Sequence, residues 1–193
     1  FGNFIYRRLI LYKLNYNIIT KNHMKKIYDY LENESNDNLI VLKKSRKIPE
    51  VGDVFVLSLK AGEYYYGKVL ESFESNELNE QVIAIFDKTI NEIDINKCVF
   101  DYKKLLFPPE IVYDGYWKKG FFKKIANIPL SNEEKNLDYG FFRMHPLKKY
   151  GYFANSRGEE LDHFPKLYNA YRISNIYNIY VSIQIENLFL DKS

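Results

Sequence analysis

An unbroken apolar run from Val54 to Leu59, entered through Gly52-Asp53, is followed after Lys60-Ala61-Gly62 by a Tyr- and Val-rich run from Glu63 to Leu70. Both compositions predict strands, and the three residues between them predict a hairpin. Gly62 suits a turn position with positive φ, while Gly67, inside the return strand, predicts a bulge or sharp bend. Within Tyr64-Tyr65-Tyr66 the period of two points Tyr65 to the face opposite its neighbours.

Leu39 to Leu42, Gln81 to Phe86 and Leu105-Leu106-Phe107 read as further strands, the last closed by Pro108-Pro109. Glu71, Glu74, Glu77 and Glu80 recur at three-residue spacing among Ser and Asn, which predicts a solvated loop. Gly115 to Pro129 holds the only Trp and runs into another strand. Tyr139 to Met144 and Tyr150 to Ala154 predict a strand pair, and Asn155-Ser156-Arg157-Gly158 a turn. Helical signals are fewer. Ile27, Tyr28 and Leu31 mark a short amphipathic piece. Ser131 and Glu134 have the spacing of a capping box with nothing strongly helical behind it. Ile173, Ile176, Tyr177, Tyr180, Val181, Gln184 and Leu188 fit a helix face, but Ile179, Val181, Ile183 and Ile185 fit strand alternation equally well. Residues 174–190 stay open between helix and strand. The predicted class is α+β, a small strongly bent antiparallel β-sheet or SH3-like barrel with peripheral helices.

Composition narrows this picture. The 193 residues suit one domain with a real core, and 18 Tyr with 14 Phe make rings its main filling. A single cysteine, Cys98, excludes an internal disulfide and suits a reducing cytoplasm. No apolar run reaches the roughly 18 residues of a membrane span. Residues 1–23 read as an extension outside the natural domain, with Met24 an ordinary start and residues 24–193 a single α+β domain. That extension carries Arg7, Arg8, Lys13 and Lys21 and no acid, so the 28 basic and 25 acidic residues become 24 and 25 without it. Net charge therefore supports no nucleic-acid reading.

Candidate chemistry is diffuse. His23, His145 and His163 show no metal-ligand spacing, although His145, His163 and Asp162 could assemble from a distance. Cys98 has only Lys97 as an electropositive neighbour and reads as structural. No nucleophile elbow or phosphate loop is present, leaving Asp53, Glu63 and Asp114 as generic candidates for a hydrolytic dyad. Lys118, Lys119, Lys123 and Lys124 interleave with Trp117, Phe121 and Phe122, a pattern that suits either single-stranded nucleic acid or a strand pair with rings inside and lysines outside. Adjacent Phe121 and Phe122 cannot share one strand face, so one ring is expected outside.

Three segments together resemble the immunity protein 26 family, whose members accompany bacterial polymorphic toxins. The first is Pro49 to Leu70, with Gly52-Asp53-Val54-Phe55 and Tyr66-Gly67-Lys68-Val69-Leu70. The second is Gly115-Tyr116-Trp117 running into Ile125-Ala126-Asn127-Ile128-Pro129-Leu130. The third, weaker, is Gly151-Tyr152-Phe153 through Gly158. Two departures stand in the second segment, Gly-Tyr-Trp for Gly-Trp and Ala126 for a Gly. The resemblance implies an α+β immunity domain that binds and neutralises a cognate toxin by occlusion, without catalysis, metal or cofactor. The toxin-contact candidates are Tyr64, Tyr66, Glu71, Glu74, Glu77 and Trp117, on the reasoning that exposed Tyr and Trp anchor interfaces and an acidic run meets a nucleic-acid-cleaving partner. An exposed sheet edge also admits a homodimer. Two alternatives stay open: a metal-dependent phosphotriesterase or other hydrolase, which the family grouping brings with it, and a nucleic-acid-binding SH3-like barrel using Trp117, Phe121, Lys118 and Lys123.

Overall fold

The computed structural model describes residues 39–75, 78–144 and 151–170, together with Ile179 and Ile183. The expectations for residues 1–23, for Ile27 to Leu31, for Glu77 and His145, and for most of the tail lie outside them.

Among the described residues eight strands form two sheets. Strands β1 (Asp53–Lys60), β2 (Glu63–Ser75), β3 (Leu78–Ile90), β4 (Glu110–Tyr113) and β5 (Lys123–Asn127) make an antiparallel sheet in the order β4-β3-β2-β1-β5. Strands β6 (Tyr139–Arg143), β7 (Tyr152–Ala154) and β8 (Leu167–Ala170) make the second, ordered β7-β6-β8, with β6 and β8 parallel. The sheets do not close into a barrel, which corrects that half of the expectation. The fold is mostly β and broadly consistent with α+β, with the first sheet antiparallel and the second mixed.

The predicted hairpin is present, with Gly62 at φ +80° in its turn. Gly52, which opens β1, sits at φ +86°, and a Cβ there would lie 2.5 Å from the Ile128 carbonyl oxygen. Only glycine meets both demands, which is why the Gly-Asp pair stands there. At Gly67 the demand is close approach: a Cβ would meet the Ala84 oxygen at 2.5 Å and the Phe55 ring at 2.6 Å. The register slips beside it, between Tyr65 and Gly67, with the extra residues on β3.

Period-2 alternation then fills two cores. Phe55, Leu57, Tyr65, Val69, Ile83, Ile85 and Val112 face one side of the first sheet, and Val56, Tyr66, Leu70, Val82, Ala84, Phe86 and Ile111 the other. Over the first side lie helix α1 (Gly115–Lys119), Leu39, Leu106, Phe107, and the helical Ile179 and Ile183. Both are helical and fully buried, so at these two positions the tail is helix and not strand. Over the second side lie Phe100, Tyr102, Leu130, Leu137 and the Phe141 of β6. Both faces are therefore interior.

Several local expectations change. Leu39 to Leu42 is not a strand but an arm, whose Ile40 N–H donates to the Ser58 carbonyl. Leu105-Leu106-Phe107 contributes one bridge, Phe86 to Leu105. Glu71 to Ser75 and Leu78 to Glu80 are strand rather than loop: they form the far ends of β2 and β3, paired from Glu71–Val82 to Ser75–Leu78. Gly115 to Lys119 is a helical turn, ended by Gly120, rather than one half of a strand pair. The capping box is present on α2 (Asn132–Lys135), four residues long.

Candidate functional site

The six contact candidates do not gather into one patch. Tyr66 is fully buried, stacked on Phe86, and its hydroxyl donates to the Val99 carbonyl. Burial pushes that phenol's pKa up, so it stays neutral. Trp117 is 2 % exposed, edge-on to Phe55 and Phe122. Neither ring can be reached by a partner on this surface, which corrects their reading as exposed anchors. Sequence placed Tyr65 opposite Tyr64 and Tyr66, and the two clusters bear that out. What the alternation could not show is that the second sheet and the 98–102 segment cover the other face too.

Glu71 is taken up within the fold. The register shift between Val69 and Glu71 makes Leu70 an extra residue, so Glu71 follows Leu70 onto the face of the second sheet. There its carboxylate accepts from the Tyr139 hydroxyl and, at 2.7 Å, from the Ser156 hydroxyl. Burial, then the Glu71 charge, pushes the Tyr139 phenol up. Glu80 is buried. Glu74 is exposed and Tyr64 half-buried, and they stand ten positions apart on β2, roughly 33 Å if extended. Glu77 is outside the described residues.

The most developed polar cluster was missed by sequence. Lys68, on β2, has its ammonium 2.7 and 3.0 Å from the two carboxylate oxygens of Glu134, and its side chain is 2 % exposed. Glu134 also accepts from the Tyr102 hydroxyl at 2.7 Å and from the Ser131 N–H at 2.6 Å. Lys68 lies 5.4 Å from the Phe100 ring centroid. Burial pushes the Glu134 carboxyl up, but the bonds from Lys68, Tyr102 and Ser131 outweigh it and hold the group below its usual range. Burial and the Glu134 bond push the Tyr102 phenol up. One residue thus caps α2 and ties it to the sheet. The signal that could have found it was a Lys on an otherwise apolar strand face with an orphan capping-box Glu.

The candidate catalytic groups are likewise engaged. Asp53 is paired with Lys124 and accepts from Asn127 and the Glu50 N–H. Asp114 holds Lys118 at 2.7 Å and Asn79 at 3.1 Å, and Glu63 pairs with Lys60. Cys98 is half-buried, its thiol pushed up to about 11 by burial and then by Asp94, so it is not a thiolate near neutrality. His163 has Nδ1 3.0 Å from Asp162 and Nε2 3.0 Å from Asp138. These two carboxylates, Asp162 first, raise its pKa. A separate carboxylate on each ring nitrogen favours the imidazolium, a clasp between Asp138 and Asp162. Among the described residues no three His, Cys, Asp or Glu side chains converge on one point, and no helix is long and apolar enough to cross a membrane.

Of the basic-aromatic segment, Phe122 is fully buried and Phe121 half-buried against the same core; both precede β5 rather than lying in it, so the expected outward ring is not seen. Lys118, Lys119 and Lys124 are exposed and Lys123 half-buried.

A family model described as Immunity protein 26 matches residues 50–149. No curated protein and no solved structure matches the chain.

Proposed function

The chain belongs to the immunity protein 26 family, and from that premise we propose that it binds and neutralises a cognate toxin of a bacterial polymorphic toxin system, in the cytoplasm, by stoichiometric occlusion and without catalysis. Family membership is the observation that carries this reading. The way the polar side chains are used agrees with it. Lys68, Glu134, Tyr102, Glu71 and Tyr139 join the two sheets and α2, as a rigid binding scaffold requires and a reacting site does not. The surface that meets the toxin has to come from exposed side chains. Among the described candidates that leaves Glu74 and, in part, Tyr64, and their separation makes them neighbours of different patches.

Growth rescue tests the proposal. Co-expression of the chain with the product of the toxin gene immediately upstream is expected to restore growth, and an unrelated immunity protein is not. A folded chain that leaves the toxin lethal removes the reading.

A further inference from the structure

Two basic segments that lie 70 positions apart in sequence are laid side by side by the fold. The arm 39–50 carries Lys43, Lys44, Arg46 and Lys47, all exposed. It runs along α1 and the turn after it: the Leu42 and Lys43 N–H groups donate to the Gly120 carbonyl at 2.7 and 3.1 Å, and the Ser45 N–H to the Trp117 carbonyl at 2.9 Å. That docking sets the four arm cations beside Lys118 and Lys119, and β5 adds Lys124, which sits opposite Phe55 on the α1 side of the sheet, while Lys123 sits opposite Val56 on the other. Residues 39–50 and 115–130 together hold eight basic residues and a single acid, Glu50, while the rest of the chain holds twenty basic and twenty-four acidic. Charge is therefore segregated, not scattered. Asp114 and Asp53, buried beside this face, neutralise Lys118 and Lys124, so its excess charge comes from the four arm cations and Lys119.

We propose that this cationic face, built from the arm and α1, is the surface that docks an acidic patch on the toxin. The proposal rests on the toxin-binding reading above and deepens it, and it reverses the sign expected from the glutamate run. A field of one sign raises the encounter rate with a partner of the opposite sign. A protein surface fits better than nucleic acid for two reasons on the page. Of the rings that would stack on bases, Trp117 and Phe122 are buried and Phe121 is half-buried against the same core. Val41 and Ile48, in the same arm, are 55 and 52 % exposed, and apolar groups among cations match a folded protein's surface and not a phosphate backbone.

The test uses the full chain with Lys43, Lys44, Arg46 and Lys119 all changed to Glu, beside a control with Lys135→Glu and Lys166→Glu, which are exposed away from this face. Association with the upstream-gene toxin is timed at low and high salt, and a thermal melt checks folding. The expected result is about 100-fold slower association at low salt for the fourfold variant, with the control unchanged and the wild-type rate falling as salt rises. If the fourfold variant fails the melt, the Lys→Gln and Arg→Gln version is read instead, with about 10-fold expected. Wild-type association with an unchanged variant rate overturns the surface and leaves the immunity reading standing. No complex with wild type overturns both. Tighter binding to a 20-base-pair duplex than to the toxin overturns the protein partner.

Discussion

Removing Lys68 is the sharpest perturbation of the account of how the layers are joined. In Lys68→Met the stem is replaced by a chain of similar volume, so packing against Phe100 is largely kept and the ammonium alone is lost. Glu134 then keeps the Tyr102 hydroxyl and the Ser131 N–H but has no countercharge within a nearly dry site. Breaking a buried pair on one side costs about 3–5 kcal/mol. For a chain of this length that is roughly 6–20 °C in Tm. The pH dependence gives the signature. In the wild type Glu134 titrates below its unfolded value, so its contribution is full above that value and is lost as pH falls through the folded one. Without Lys68, burial still raises the group and its strongest lowering partner is gone, so the folded value moves up and protonation relieves the variant as pH falls. The gap between the two proteins should be full at pH 7 and shrink towards pH 4. Glu134→Gln should cost a similar amount by stranding Lys68. The double variant should lose at least about 2 kcal/mol less than the sum of the two. Urea unfolding across pH 4–8 reads all three. A Lys68→Met cost under about 1 kcal/mol, or a gap that does not change with pH, would refute a buried, coupled pair.

Gly52→Ala should destabilise by about 2 kcal/mol or more, because it meets both a positive φ and the Ile128 carbonyl; a melt within 1 °C of wild type contradicts the turn geometry. His163→Asn should flatten one limb of the pH–stability curve. The wild-type clasp contributes fully below the unfolded histidine value of 6.5 and is lost as pH rises through the raised folded one, so matching curves for the two proteins above pH 5 sink the clasp. Cys98 should react slowly with a disulfide reagent at pH 7.5 and faster as pH approaches 11; rapid modification at neutral pH would mean the thiol is not shielded.

Local rules carried the sequence reading where a residue answers to its own neighbours. The β1–β2 hairpin, Gly62, the slip beside Gly67 and the Ser131–Glu134 box are all of this kind, set by φ, backbone approach or a three-residue spacing. Failures came where a second layer decides. Alternation placed Tyr66 correctly on its face, but nothing in β2 says that Phe100 and Phe141 cover that face. Glu71 changed sides through a one-residue bulge, which period-2 counting cannot anticipate without a glycine to mark it. The glutamate run reads as a loop because Ser, Asn and Glu are poor strand formers, and tertiary pairing overrode that preference. The cationic face was half legible: each basic cluster is visible in the sequence, but the backbone bonds at Gly120 and Trp117 that unite them are not.

Calorimetric titration of the purified chain with the upstream-gene toxin tests the central claim most directly. Saturation at one chain per toxin with a Kd of about 10 nM or tighter, and toxin activity falling in step with occupancy, is the predicted result. No heat of binding with both proteins folded, or inhibition at far less than one chain per toxin, would contradict stoichiometric occlusion.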